Sequence, residues 1–600
     1  NALVENTDYP FFDDVVNRIG SWSPNGGAAG RYMEGYMAEI HLIDGAQKAA
    51  SDFGEYNDDG VWIPKAYSGA YGDQGAYLKG QDSSALGDDT SGNGNDFTSS
   101  GLAANDQMSD SPTNNWCIMN SLAYDSTQIT LTDGNLTLAW NTPNGNGGTT
   151  ALSTFDLSQH GKSYWEFSAA NSSVNYSVGI CTNTSVWRKP RTQSAFAELR
   201  YGVENASTGE MQVTSGDGSI DSTGVLATTG SEVGMMAFDP ASGKLWVGQD
   251  GTFFNSGDPA AGSDEQGTFT GDNNTGIYVN IRDYSSAEVG AVTFNFGQSG
   301  FAHTPPTGFT ALNSSNSPDP AIADPSDYFT PYIYTGDDSG TSRAFTGVGF
   351  APNLVWTKAR GATYSHALFD TVRGVEKYLS SDGTGAEINQ PSSGYITAFG
   401  SDGYTFSDGS SGTNPRANYN ADTTYVSWNW AEGSTPGFDI VSYTGNATAR
   451  TISHNLGVVP EMMIVKNRDQ GDNWAVYHSG NTSAPETDYL VLNERDATAD
   501  LNTVWNDTAP TSSVFTVGTA SLVNATGEDF IAYIFAPVEG FSKFSSYIGN
   551  GNAYGPMVNV GFQPAFLLLK STGDNKWILK DTKRSPFNAS SLSLVANNSD

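Results

Sequence analysis

The sequence predicts an all-β chain of tandem antiparallel β-sandwich or jelly-roll domains arranged as a rod. Three observations predict it. Short, often alternating apolar runs recur along the chain and are punctuated by Gly, Pro, Asn and Asp, which is the pattern of strands and turns. Aromatic residues make up 12% of the chain, enough to fill several small cores, whereas low-complexity disorder lacks them. Three stretches in the second half repeat one another, as tandem domains would.

Composition narrows the function classes. The chain has 600 residues, room for several domains, and a formal charge of −37. Binding nucleic acid needs basic surface to neutralise phosphate, so nucleic acid is excluded as a partner. An acidic surface suits a protein kept soluble in salt, where screening weakens self-repulsion. No apolar run approaches the roughly 20 residues that span a bilayer, so membrane insertion is not expected. The opening stretch "NALVENTDYPFFDD" shows neither the basic start nor the apolar run of a leader. The two cysteines, Cys117 and Cys181, make neither a disulfide framework nor a Cys-based zinc site. They fall in segments assigned to different domains, so two unbridged, buried thiols are expected.

Residues 1–120 hold "YMEGYMAEIHLIDG" from Tyr32 to Gly45, then "SDFGEYNDDGVWIPKAYSGAYGDQGAYL" and "LGDDTSGNGNDFTSSGLAANDQMSDSPTNN". This run resembles the C-terminal part of the laminin-G or concanavalin-like domains in tail fibres of marine bacteriophages. The resemblance implies that "GYMAEIHLIDG" is the last core strand of a jelly roll, and that the segment begins within a domain.

Residues 121–313 carry "KSYWEFSAA", in which Tyr164 and Glu166 alternate with Trp165 and Phe167. "NYSVGICT" follows, with Val178 and Ile180 on one face. "EVGMMAFDPASGKLWVGQDGTFF" reads as a hairpin turning from Asp239 to Gly243, with Met236 and Phe238 facing Leu245 and Val247. With the closing "NFGQSGF…PPTGFTALN", these pieces resemble a SPRY domain, a β-sandwich of the concanavalin-like class that binds through loops at one edge.

Residues 314–436 and 437–540 form two repeats, and 541–600 begin a third that is incomplete. Each carries a Tyr-x-Gly turn, a Gly-x-x-Pro corner and an apolar run ending in Lys. The landmarks Tyr334, Tyr443 and Tyr547, then Pro352, Pro460 and Pro564, then Lys358, Lys466 and Lys570, keep register at a spacing of about 105 residues, too long for a solenoid repeat. The units are therefore expected to fold individually, like beads on a rod, and the chain to be a piece of a longer protein. A functional half-repeat is the alternative, at the cost of open strand edges.

Catalytic signatures are missing. No Gly-x-Ser-x-Gly elbow, His-Glu-x-x-His pair or P-loop occurs, and the six histidines are scattered singly. His366 and His478 stand at similar places in the first two repeats, which reads as a shared structural position. The best metal candidate is "DDTSGNGND": Asp89, Ser91 and Asn93 before Gly94 match the front half of an EF-hand-type Ca²⁺ loop. Ser100 stands where that loop needs a bidentate Glu, and Asp88 and Asp96 are the candidates to compensate. The competing reading is an Asx- and Gly-rich turn held by its own side chains. Trp187, Arg188, Lys189 and Arg191, in "TNTSVWRKPRTQ", form the one basic cluster and are a candidate contact for an anionic glycan or an acidic neighbour. The competing reading is a loop tryptophan capping the sandwich.

The order of segments resembles a marine bacteriophage tail fibre throughout. That resemblance implies an extracellular virion protein that binds a host surface glycan or protein, assembles as a homotrimer with other virion proteins, and is not an enzyme. A cell-surface adhesin or surface-layer protein of a marine bacterium, or a glycan-degrading tailspike, remain as alternatives.

Overall fold

The computed structural model describes residues 18–599 except 23–29, 34–35, 58–60, 125–127, 141–149, 170–175, 183–200, 206–209, 215–219, 228–231, 270–275, 284–289, 338–341, 390–391, 393, 408–417, 419–422, 550–557 and 587–589. The described residues are organised by antiparallel ladders. Their α-helix is confined to two single turns, Asn502–Trp505 and Ser521–Asn524. The chain divides into two compact units, the second beginning at Asp319.

In the first unit, two antiparallel sheets enclose a core of Trp165, Phe167, Val178, Ile180, Met236, Phe238, Val279 and Phe294. One sheet runs in the order Ile220–Ala227, Glu210–Thr214, Tyr201–Asn205, Tyr176–Thr182, Ile277–Asp283, Thr150–Ser153, Met119–Tyr124. The other centres on Ser163–Ala169, flanked by Gly234–Asp239 and Ala291–Asn295. The alternation in "KSYWEFSAA" has the expected effect. Trp165 and Phe167 face the main core, while Tyr164 turns into a second cluster with Trp246 and Phe309. The hairpin is as the sequence predicts: Met236 lies opposite Val247, Phe238 opposite Leu245, and Asp239 opposite Lys244.

Glu166 is only 2% exposed. It accepts hydrogen bonds from the Tyr164 hydroxyl at 3.0 Å, the His303 N–H at 2.8 Å and the Ala302 N–H at 2.9 Å. The carboxylate thus pins the 302–303 backbone to the sheet. The two cysteines are buried and unbridged, but they share this unit. Residues 115–117 close onto 312–314, with Cys117 N–H donating to the Leu312 carbonyl and Ser314 N–H to the Asn115 carbonyl. Burial among apolar neighbours pushes the Cys117 thiol up to about 11.

Residues 18–115 make ladders of two strands: Ser21–Trp22 with Gly30–Tyr32, Ile40–Leu42 with Ala76–Leu78, and Gly54–Tyr56 with Trp62–Pro64. The strand expected to end a jelly roll, Ile40–Leu42, therefore has one partner among the described residues.

The second unit departs furthest from expectation. Each complete repeat builds a sheet ordered leading strand, closing strand, Lys strand, return strand. These are Phe329–Thr335, Thr424–Trp430, Leu354–Ala359 and Ala367–Asp370 in the first repeat. In the second they are Phe438–Thr444, Asp529–Phe535, Met462–Asn467 and Ala475–His478. The third contributes a Lys strand, Phe566–Leu569, a return strand, Ile578–Asp581, and Leu594–Val595.

One face of each complete sheet covers a private core: Tyr334, Phe345, Val355 and Tyr425 in the first repeat, Met463, Val465, Phe515 and Phe530 in the second. The other face enters a core common to all three repeats, holding Trp356, Trp428, Ile464, Trp474, Tyr533, Trp577 and Leu579. Burial on both faces explains why "NLVWTK" and "EMMIVKN" are nearly continuous apolar runs rather than alternating ones.

The repeats are thus not separate beads. Trp474 Nε1 of the second donates to the Ser380 carbonyl of the first at 3.0 Å. Trp577 Nε1 of the third donates to the Val491 carbonyl of the second at 2.8 Å. His366 Nε2 of the first meets the Val595 carbonyl of the third at 2.9 Å, closing a ring. His366 is therefore the counterpart of Trp474 and Trp577. His478, opposite Met462, is instead the counterpart of Asp370, opposite Leu354, and Asp581, opposite Phe566. The similar sequence contexts of the two histidines conceal a shift of four residues along the return strand.

The repeat landmarks hold where local geometry sets them. The Nζ atoms of Lys358, Lys466 and Lys570 each cap the turn that follows, donating to the carbonyls of Ala359, Asn467 and Ser571 at 2.7, 2.6 and 2.8 Å. Tyr334 stacks on Tyr425 and Tyr443 on Phe530, both at 5.2 Å and 10°. Tyr547 does not follow them; it is 50% exposed.

Replacing Trp474 or Trp577 by Phe keeps the apolar bulk and strands the acceptor carbonyl. Each change is expected to destabilise the chain by about 1–3 kcal/mol, read as a lower urea midpoint. A midpoint equal to wild type would show that the ring bonds carry no net stability.

His366 sets a pH dependence. Its Nδ1 accepts the Trp356 indole N–H at 2.9 Å, which leaves the proton on Nε2 for Val595. Burial is the main cause that lowers its pKa from 6.5 to about 4. The unfolded chain therefore takes up this proton first, so the contribution is whole above about pH 6.5 and falls away as pH drops towards 4. The expected loss at pH 4 is about 3 kcal/mol, and His366→Gln should flatten that limb of the stability profile.

Candidate binding surface

The "DDTSGNGND" loop folds around one carboxylate. Asp89 Oδ1 accepts the N–H groups of Tyr77 and Ser91 at 2.8 and 2.9 Å. Its Oδ2 accepts the Ser91 hydroxyl and the Asn95 N–H, both at 2.9 Å. Asp96 Oδ1 accepts the Asp89 N–H at 2.9 Å, and the Asn93 amide caps the Gly75 carbonyl at 2.9 Å. Asp88 is exposed. The structure thus brings Asp89, Ser91 and Asp96 together, but donor hydrogens occupy the Asp89 oxygens, as in an Asx turn. Burial works to raise the Asp89 pKa, but these accepted bonds together outweigh it and hold the carboxyl below its ordinary value. Among the described residues, no group of three His, Cys, Asp or Glu side chains is disposed to hold a metal.

The loop supports an aromatic cluster. Asp89 anchors the Tyr77 backbone, and the His41 ring stacks on Tyr77 at 4.2 Å and 14°. His41 Nδ1 meets the Tyr71 hydroxyl at 2.8 Å, and the Tyr77 hydroxyl donates to Glu39. Burial lowers the His41 pKa, opposed by Glu39. Asp89→Ala removes four accepted bonds and should cost about 2–4 kcal/mol of stability, measured by denaturant unfolding. A cost near zero would show the loop is held by other contacts.

One ladder presents aromatic rings outward. Tyr56 and Trp62 face each other across the 54–56/62–64 pair, ring centres 5.0 Å apart and nearly perpendicular at 75°. Tyr56 is 70% exposed and Trp62 41%. The indole lies across Gly54, where a Cβ would stand 2.4 Å from the ring. Gly54 is therefore the seat that lets Trp62 lie flat. On the other face of the same ladder, Lys65 and Glu55 form an exposed ion pair at 3.4 Å. Two exposed rings set at an angle offer faces for the apolar C–H surface of a sugar. The sequence alone does not mark this pair, because alternation in "GEYNDDGVWIP" shows which residues share a face and not whether that face is covered. Trp187, Arg188, Lys189 and Arg191 lie outside the described residues.

Residues 324–600 match the model of a family described as a domain of unknown function (DUF7483). No curated protein matches the chain. Similar solved structures include the SPRY domain of human HERC1, at 13% identity and a TM-score of 0.20, covering 28% of this chain and 96% of that one. A further human SPRY domain has 14% identity and a TM-score of 0.21, covering 28% of this chain and 94% of that one. The exoplasmic/lumenal domain of VIP36, in a Ca²⁺/Man3GlcNAc-bound form, has 11% identity and a TM-score of 0.18, covering 32% of this chain and 87% of that one. Likenesses this weak carry no argument about binding.

Proposed function

We propose that this chain is a bacteriophage tail-fibre or fibre-like virion protein that binds a glycan on the host cell surface. The observation that carries the glycan reading is the exposed Tyr56–Trp62 pair seated on Gly54. The all-β build, the acidic surface and the sequence order that resembles such fibres support the setting. The role is attachment rather than catalysis. The assembly is a homotrimer in the virion, where neighbouring chains brace one another and cover strand edges. With −37 on each chain, close packing needs screening by salt, so light scattering should find trimers at seawater ionic strength.

The test is binding of the purified chain to immobilised bacterial surface polysaccharides. Trp62→Ala and Tyr56→Ala are each expected to weaken binding about tenfold, the loss of one stacked ring. Gly54→Val should do the same by lifting the indole from its seat. Undiminished binding in all three variants would overturn the assignment of this surface. Turnover of the polysaccharide would overturn the non-catalytic role.

A further inference from the structure

Two carboxylates face each other where the first repeat passes into the second. The chain turns between Gly433 and Phe438, whose backbones exchange both hydrogen bonds, at 2.8 and 3.1 Å. One step outward in that register stand Glu432 and Asp439. Theirs is a non-hydrogen-bonded position, where opposed side chains come closest and like charges destabilise. Asp439 is only 4% exposed. A hydrogen bond joins the two side chains, which requires a proton on one of them. Each carboxyl also accepts a backbone N–H of the second repeat: Glu432 Oε1 from Ile440 at 3.2 Å, and Asp439 Oδ2 from Asn455 at 2.6 Å. The first repeat holds Glu432 through Asn353, whose side-chain oxygen accepts the Glu432 N–H at 2.9 Å.

The surrounding charges add to the repulsion. Asp370, at the end of the first repeat's return strand, brings a third negative charge, and the nearby guanidinium of Arg373 is already bound to it. His454, beside Asn455, has its ring nitrogens at the Thr511 carbonyl and the Leu456 N–H. Burial first, then the hydrogen bond and charge of Asp439 and the charge of Asp370, push the Glu432 pKa up from 4.5 to about 7, with the Ile440 bond opposing. The turn into the third repeat is a natural control. Val538 and Ser542 bridge there as Gly433 and Phe438 do, and the opposed residues one step outward are Pro537 and Lys543.

We propose that Glu432 and Asp439 form a proton-held latch between the first two repeats: one shared proton joins the carboxyls, and its loss on raising the pH frees the Gly433–Phe438 turn. The folded chain holds this proton more tightly than the unfolded chain. The latch's contribution is therefore whole below about pH 4.5 and is lost as pH rises through about 7. His366 acts with the opposite sign over part of that range, so the two are separated by a local measurement rather than by a global unfolding midpoint.

The experiment follows backbone hydrogen exchange of the full chain, corrected for the intrinsic rate, at about pH 5.5 and about pH 8.5. The segment holding Ile440 should lose about tenfold of its protection at the higher pH, and the segment holding Ser542 should lose none. In Glu432→Gln the carboxamide does not titrate, and protection at Ile440 should be equal at both values. Infrared difference spectra of the wild type should show one protonated-carboxyl band lost over the same interval and absent from Glu432→Gln. Asp439→Asn should move that loss down towards the ordinary glutamate range. Unchanged protection at Ile440 in the wild type would overturn the proposal, as would an equal loss at Ser542, which marks a global change. A loss at Ile440 that persists in Glu432→Gln would place the titrating group elsewhere and overturn it too. Should Glu432→Gln fail to fold, a wild-type chain without the infrared band, or a band that Asp439→Asn leaves in place, would have the same effect.

Discussion

Three hydrogen bonds running one way round a ring govern the second unit. Each takes a ring N–H out of water, into a core of Trp, Leu and Ile, and satisfies it on the carbonyl that follows a leucine of the neighbouring repeat. A buried donor without an acceptor is costly, so each repeat is tied to the presence and orientation of the next. The bonds are few, but they fix which faces the sheets turn inward. The common core then follows as the apolar surface those faces bring together.

That constraint explains features that look unrelated in the linear chain. A sheet with a private core on one side and a shared core on the other has no wet face. Its Lys strands are apolar up to the lysine, save for Thr357 in the first. Lys358 and Lys466 are fully buried because each ammonium turns back onto the carbonyls of its own turn. Desolvation there lowers the Lys466 pKa to about 8. Asp370 with Arg373, and Asp581 with Arg584, form matching buried ion pairs at the ends of two return strands. The second repeat has His478 at that position, so the three members are alike in backbone and unlike in charge.

Local signals were legible in the sequence and non-local ones were not. The hairpin around Asp239, the alternation of Trp165 and Phe167, and the lysine turns depend on residues a few positions apart, and all can be read directly. The ring is carried by His366, Trp474 and Trp577, which differ in type and contact partners far along the chain. Matching histidine with histidine led to the wrong equivalence. The unbroken apolar runs did carry the signal of two-sided burial, but a short run is equally compatible with a strand in an isolated sandwich. At the Asp89 loop, an Asx turn and half of a calcium loop demand the same residues at the same spacing. What separates them is the direction of the N–H groups around the carboxylate, which only the backbone reveals. The outward rings of Tyr56 and Trp62 likewise depend on what does not cover them.

The closed ring also bears on how such a gene can change length. Arrays whose units stack end to end tolerate gain or loss of a single unit, because every junction is alike and the ends stay open. Here the third unit returns to the first through His366 and Val595. Excising one repeat would leave an indole or imidazole facing a carbonyl that no longer exists, and inserting a fourth would part a pair already joined. Unequal recombination within this stretch is therefore penalised at every copy number except three, and lineages should vary in the loops between strands while keeping the count of units constant.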